Sequence, residues 1–431
     1  MIMMNYLTKR RILFWSFFCV AGAGIGYFAS AEALNSEAAE YNALGVQHYN
    51  QGQWPEAIDA FLSARDKAPG NPTIQNNLVN AHQAYANEMA ERRDYATAAE
   101  IAEEAVSHAP NNPTPLVQLG MYSLRLDRVS DAIFRLEEAV ELDPSNLDAL
   151  EVLGDAYYQA NDLPAALAVW REVQDEEPNR PNLSERIAKA QREADVERDF
   201  QRSGSRHFEI SYPRQTTGRE QQQVLSILER AYRELGQIFG NVFPPPPIQV
   251  IIYSAEEFSA ATELDDHVGA VYDGKIRVPV RDRDGEPLEE DELERRLYHE
   301  YTHVMVRHLG GEDVPWWFNE GLAEMLSTSL TDENHRRLYQ ALQDGALFGL
   351  RALDDSQLEE MPPEQLSLAY LQSHATVDYL WRRFGQQALL DYLEALSEGY
   401  SGEAALHEVY HRTYHVLEQD VADEIRTRGG Q

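Results

Sequence analysis

The sequence has almost no cysteine. Of its 431 residues, only Cys19 carries a thiol, and it lies inside an apolar N-terminal run. The chain downstream therefore forms no disulfide and performs no cysteine chemistry. Lysine is nearly absent too, at positions 9, 67, 189 and 275 only, so arginine supplies most of the cationic side chains. Codon composition and adaptation to salt would both produce that bias. An excess of positive charge is missing altogether: 72 acidic residues stand against 37 basic ones, a formal net charge of −35. That balance serves solubility and makes nucleic acid and anionic membrane surfaces poor partners for the folded part. A hydrophobic fraction of 43% is enough for real cores, and the length suits two or three domains.

Long apolar runs are confined to one place, Ile12 to Phe28, after Lys9, Arg10 and Arg11 and before the small residues Ala29, Ala31 and Ala33. A positive flank, an apolar stretch and an A-x-A site read as a secretory signal. Counted on to Leu34, with Glu32 as its only interruption, the run also has the length of a membrane anchor. Residues 1–34 are thus a signal peptide or an N-terminal anchor. Both readings export the rest of the chain, to a periplasmic or secreted location, because the positive flank stays in the cytoplasm. Lipidation at Cys19 is disfavoured by the bulky Ser16-Phe17-Phe18 before it.

From about residue 38 the sequence repeats. Glycines at 45, 120 and 154 open similar helices, and prolines at 69, 110, 144 and 178 close the units. Ala57, Phe61 and Ala64 correspond to Ala132, Leu136 and Ala139 and to Ala166, Trp170 and Val173. The second unit keeps Ala98, Ala102 and Ala105 but is seven residues longer, about two helical turns. The pattern resembles the tetratricopeptide repeat, which implies an all-α solenoid over 38–200 whose concave face holds peptides or other proteins. The charged stretch from Asn182 to Phe200 reads as a solvating helix that caps the array.

From 206 the period changes. HFEISYP alternates like a strand, Thr217 to Phe239 has helical spacing, and IQVIIY reads as a buried strand. VGAVYDGKIRVPV at 268–280 is two alternating runs joined by Asp273-Gly274, a hairpin signal. After about 288 everything reads as helix, so this part is a small sheet followed by helices, an α+β pattern. The segment RDRDGEPLEEDE at 281–292 lacks the full spacing of a calcium loop and reads as a solvated acidic loop.

The motif H-E-x-x-H occurs twice. HEYTH at 299–303 lies in a stretch without Gly or Pro for four turns, so His299 and His303 share one helix face and can present nitrogens to a single ion. A zinc site needs a third protein ligand and keeps one position for water. Glu300 points about a quarter-turn away, free to take a proton from that water. PWWFNEGLAEMLS at 315–327 then supplies Glu320 and, four residues further along the same face, Glu324.

HEYTH with NEGLAE resembles the gluzincin metallopeptidases, the thermolysin-like branch of the zincins, and in particular the peptidase MA-like domains with their W-x-x-E-G-x-A motif. The resemblance covers 206–425. It implies a zincin-like α+β domain hydrolysing peptide bonds, with Zn2+ held by His299, His303 and Glu320, Glu300 as general base, and Glu324 supporting a ligand histidine. The family often takes an oxyanion donor from a downstream helix, which falls on Tyr370, with His374 nearby in LAYLQSHATVDYL. HEVYH at 407–411 has no third ligand at that distance. Its amphipathic spacing reads as one helix with His407, His411 and His415 on a solvent-facing stripe.

The sequence thus reads as an exported, multidomain chain, and the two resemblances imply a zinc metallopeptidase acting on proteins or peptides, with repeats that dock a partner or substrate. The competing reading is a non-enzymatic scaffold with an inactive peptidase-like domain. Retention of both Glu300 and the ligand residues argues against it.

Overall fold

The computed structural model describes residues 36–263, 270–354 and 361–429. The proposed signal or anchor at 1–34 lies outside these residues, as do the first two positions of the 268–280 hairpin. Among the described residues no helix is long and apolar enough to cross a membrane. The described chain divides into two compact units, with the boundary between Ala190 and Gln191.

The first unit is a succession of helices: α1 (Ser36–Asn50), α2 (Trp54–Lys67), α3 (Pro72–Glu91), α4 (Tyr95–His108), α5 (Pro113–Arg125), α6 (Val129–Leu142), α7 (Leu147–Gln159), α8 (Leu163–Glu176) and the start of α9 (Leu183–Glu197). Short polar side chains start many of them. Asn71, Asp94, Asn112, Asn146 and Asp162 each accept a hydrogen bond from a backbone N–H in the first turn that follows. The repeat closes through side-chain complementarity within each helix pair. A Cβ on Gly45 would meet the ring of Phe61 at 2.6 Å, one on Gly120 would meet Leu136 at 2.5 Å, and one on Gly154 would meet Trp170 at 2.2 Å. The glycines therefore lie inside the helices rather than opening them, each making room for the large side chain sixteen positions later. In the second unit of the repeat the partner is only Ala102, and Ala86 replaces the glycine, with both fully packed. The seven extra residues all go into α3, which has 20 residues where α5 and α7 have 13.

The second unit has a five-stranded sheet of β1 (Gln201–Gly204), β2 (Phe208–Tyr212), β3 (Ile248–Tyr253), β4 (Val271–Tyr272) and β5 (Ile276–Pro279), in the order β1-β2-β3-β5-β4. β2, β3 and β5 run parallel, while the outer strands are antiparallel to their neighbours. Helices α10 (Gly218–Ile238), entered through a capping box at Thr217 and Glu220, and α11 (Ala255–Thr262) lie between the strands in sequence. The rest is helical: α12 (Glu290–Gly310), α13 (Trp316–Ser327), α14 (Asp332–Gln343), α15 (Pro363–Ser397, broken at Gly385), α16 (Gly402–Tyr410) and α17 (Tyr414–Gly429). The 281–289 stretch is a loop in which Asp282 accepts from the backbone N–H groups of Asp284 and Glu286.

The unit boundary differs from the sequence reading, which ended the repeat region near residue 200. The last turns of α9 carry Glu193 and Glu197, and these are not solvating charges. Glu193 is fully buried, with Arg277 Nη2 at 2.8 Å and Lys275 Nζ at 3.7 Å. Arg277 also donates to Tyr253 Oη at 2.7 Å and to Asp273 Oδ1 at 3.1 Å. This ionic cluster ties the 273–277 hairpin to the end of α9. Truncating Arg277 to Met leaves Glu193 buried with weakened compensation. The expected cost is about 3–5 kcal/mol in the unfolding transition of this unit. A loss below about 1 kcal/mol in urea titration would mean that the cluster contributes little.

Candidate metal centre

Helix α12 has its apolar side in the core through Leu297, Tyr301, Val304 and Met305, which leaves His299 and His303 on the stripe turned towards α13. Their rings stand edge to face with centroids 4.8 Å apart. Helix α13 starts after Pro315 and carries Glu320 into the same space. His299 Nε2 is 3.4 Å and His303 Nε2 3.5 Å from a single atom, Glu320 Oε2. Among the described residues these three side chains form the one cluster of histidine, cysteine and carboxylate groups suited to an ion, with their donor atoms within 4.8 Å of one another.

The arrangement fits the metal that the sequence implies. Donors at the 2.0–2.1 Å bonding distance of a tetrahedral zinc stand about 3.3 Å from each other, and the two imidazole-to-carboxylate separations match that edge. The second nitrogen of each ring is turned away from the cluster. His303 Nδ1 donates to Asn319 Oδ1 at 2.9 Å, which directs the lone pair of Nε2 inward. Glu324 Oε1 lies 3.3 Å from His299 Nδ1.

Electrostatics favours a cation here. Burial works to lower the pKa of both histidines, yet the carboxylates of Glu320, Glu324 and Glu300 outweigh it and raise His299, and those of Glu320 and Glu300 raise His303. Burial in turn works to raise Glu320, but the His303 and His299 imidazoles hold it well below the usual carboxylate range. The pocket thus binds positive charge against the cost of desolvation.

Glu300 is buried, and its Oε2 has no hydrogen-bond partner among the described residues. Burial pushes its pKa up, partly offset by His299 and His303. Such a carboxylate is ready to accept a proton. Tyr370, on α15, packs its ring edge-on against Trp316 with centroids 5.0 Å apart. Burial, with the charges of Glu320, Glu300 and Glu324, holds its hydroxyl far above the usual tyrosine range, so it stays a neutral donor. His374, one turn further on, is buried and its pKa is pushed down by desolvation.

The second copy, HEVYH, does not present its histidines as a helical ligand pair. The helix that contains it ends at His411, which takes a left-handed conformation (φ 53°), so the single continuous helix expected through 425 is two, α16 and α17. His407, His411 and His415 are exposed, and with the break His407 and His411 lose the shared helical stripe of a ligand pair. Tyr410 of that copy turns inward instead. It packs on Tyr392 (5.8 Å), which packs on Phe318 (4.6 Å), behind the helix that carries Glu320. Sequence reasoning missed Asn319; its only signal was its place directly before Glu320 in NEGLAE.

Helix α13 reaches its position because Gly321 lets α15 approach. A Cβ there would lie 2.4 Å from the carbonyl oxygen of Ser373, backbone that cannot rotate away. Gly321→Ala should therefore push the two helices apart, cost roughly 1–3 kcal/mol and weaken metal retention on dialysis. An unchanged melting temperature and metal content would contradict the close approach.

Comparison with known proteins gives each unit a relation. Residues 117–181 match the tetratricopeptide repeat model, and 288–426 match that of the Peptidase MA superfamily. The chain is 29% identical over 171 residues to the DnaJ homolog subfamily C member 3 homolog of Dictyostelium discoideum, covering 37% of this chain and 34% of that one. It is 31% identical over 110 residues to the chloroplastic tetratricopeptide repeat domain-containing protein PYG7 of Arabidopsis thaliana, covering 25% and 35%. The chain thus spans about a third of the length of these curated relatives. Among solved structures it is similar to MamA, at 19% identity over 36% of this chain and 80% of that one with a TM-score of 0.29. The repeat protein YrrB is similar at 20% identity over 35% and 74%, with a TM-score of 0.27. The chain joins tetratricopeptide repeats to a domain of the Peptidase MA superfamily.

Proposed function

We propose that this chain is an exported zinc-dependent metallopeptidase whose repeats dock a protein partner or substrate. The observation that carries the reading is the convergence of His299 Nε2 and His303 Nε2 on Glu320 Oε2, beside Glu300, whose Oε2 has no hydrogen-bond partner among the described residues. His299, His303 and Glu320 would hold Zn2+, which when bound supplies Lewis acidity towards a carbonyl and lowers the pKa of a water molecule.

The remaining work falls to side chains of the chain. Glu300 takes the proton from the attacking water and returns it to the departing amine, which a carboxylate with a raised pKa does well near neutrality. Tyr370, neutral and held against Trp316, donates to the oxyanion of the tetrahedral intermediate. Asn319 and Glu324 keep the two imidazoles oriented. Strand β4 lies at one edge of the sheet, beside β5, where an extended peptide would add through backbone hydrogen bonds. Export rests on the sequence of residues 9–34, and amino-terminal sequencing of the exported protein tests whether that segment is removed.

Replacing Glu300 by Gln keeps the shape and removes the proton acceptor. Metal content should stay at the wild-type value while hydrolysis of a peptide library falls by about 10²–10⁴-fold. Undiminished cleavage by the purified variant would sink the mechanism. Stoichiometric zinc in a wild-type chain that cleaves nothing would favour the scaffold reading.

A further inference from the structure

The peptidase reading leaves the substrate's chemistry open, and a group at the metal-bearing helix bears on it. Arg295 lies one turn before His299, so Arg295, His299 and His303 follow one another at four-residue spacing along α12. Its side chain is 38% exposed, which lets the guanidinium meet an incoming ligand. Two of its donors are used within the helix: Nε donates to Glu292 Oε2 at 2.9 Å and Nη2 to Glu292 Oε1 at 3.0 Å. The third nitrogen, Nη1, makes no hydrogen bond among the described residues.

That fork has two consequences. It fixes the plane of the guanidinium, so the rotamer entropy that a flexible side chain loses on binding is already spent. It also leaves Glu292 divided between two cations, because the same carboxylate accepts from Arg296 Nε at 2.6 Å. The charge stands near the chemistry, since Arg295 interacts electrostatically with Glu324 and Glu300. With 72 acidic residues in the chain, long-range attraction does not favour an acidic peptide, so any preference for one depends on a local cation of this kind.

We propose that Arg295 is a specificity residue that binds a carboxylate of the substrate beside the scissile bond through its free Nη1. The inference rests on the peptidase reading. Planar guanidinium matches carboxylate geometry, and a charge-assisted bond of this kind discriminates against the isosteric amide, which offers no charge. Two sources supply the chemistry: an Asp or Glu side chain, or the terminal carboxylate of the peptide.

Binding decides it without relying on turnover. Three alanine heptapeptides would be titrated calorimetrically into the zinc-loaded Glu300→Gln chain. One is acetylated and amidated with a central Glu, one is the same with Gln, and one carries the Gln with a free carboxyl terminus. At least one carboxylate peptide should bind about tenfold or more tightly than the capped Gln peptide, and the tighter of the two identifies the source. Arg295→Met in that background should remove the difference and leave the capped Gln peptide unaffected. Arg295→Glu, with metal content retained, should turn the preference towards a central Lys. Equal binding of the three peptides, no binding of any, or a difference that survives Arg295→Met overturns the proposal. Cleavage by the wild-type chain is scored separately. Cleavage without a carboxylate preference defeats this inference alone, and a binding preference without cleavage defeats the peptidase reading alone.

Discussion

Three carboxylates, Glu300, Glu320 and Glu324, lie around the imidazoles of His299 and His303 in a largely buried pocket, and positive charge among them offsets their mutual repulsion. Buried like charges repel strongly where the dielectric is low. With protons alone, the pocket must hold them on His299 and His303 against the cost of burial. A divalent cation where His299, His303 and Glu320 converge would do the same task.

The fixing is done by packing. Helix α12 is held by its core face, and α13 by the close approach at Gly321 and by an aromatic block of Trp317, Phe318, Tyr392 and Tyr410 behind it. Tyr414 of α17 joins this block against Trp317, and its hydroxyl reaches Asp354 at 2.7 Å. Interiors this dense have few ways to relax, so an imidazole's place depends on side chains two layers away. Asn319 then sets the rotation of the His303 ring, and Glu324 lies 3.3 Å from His299 Nδ1.

The parts of this that were legible in the sequence are those with a period or a spacing. Phe61, Leu136 and Trp170 recur with their small neighbours because each helix pair solves the same packing problem, and HEYTH with NEGLAE sets ligands at separations that two helices can bring together. Contacts between distant segments left no such trace. Nothing in the letters of α9 announces that Glu193 meets Arg277 in a buried cluster, so a run of charges read as a solvated cap. HEVYH shows the reverse failure. Its spacing was right for a helix face, but the chain turns at His411, and the residue that matters there is Tyr410, whose role is only visible once Tyr392 and Phe318 are in place.

Metal analysis of the purified chain tests the central claim most directly. One equivalent of zinc per chain should be found. It should be lost in His303→Ala and Glu320→Ala and retained when His407 and His411 are both replaced by Ala. No bound metal, or zinc that depends on His407 and His411, would contradict the account.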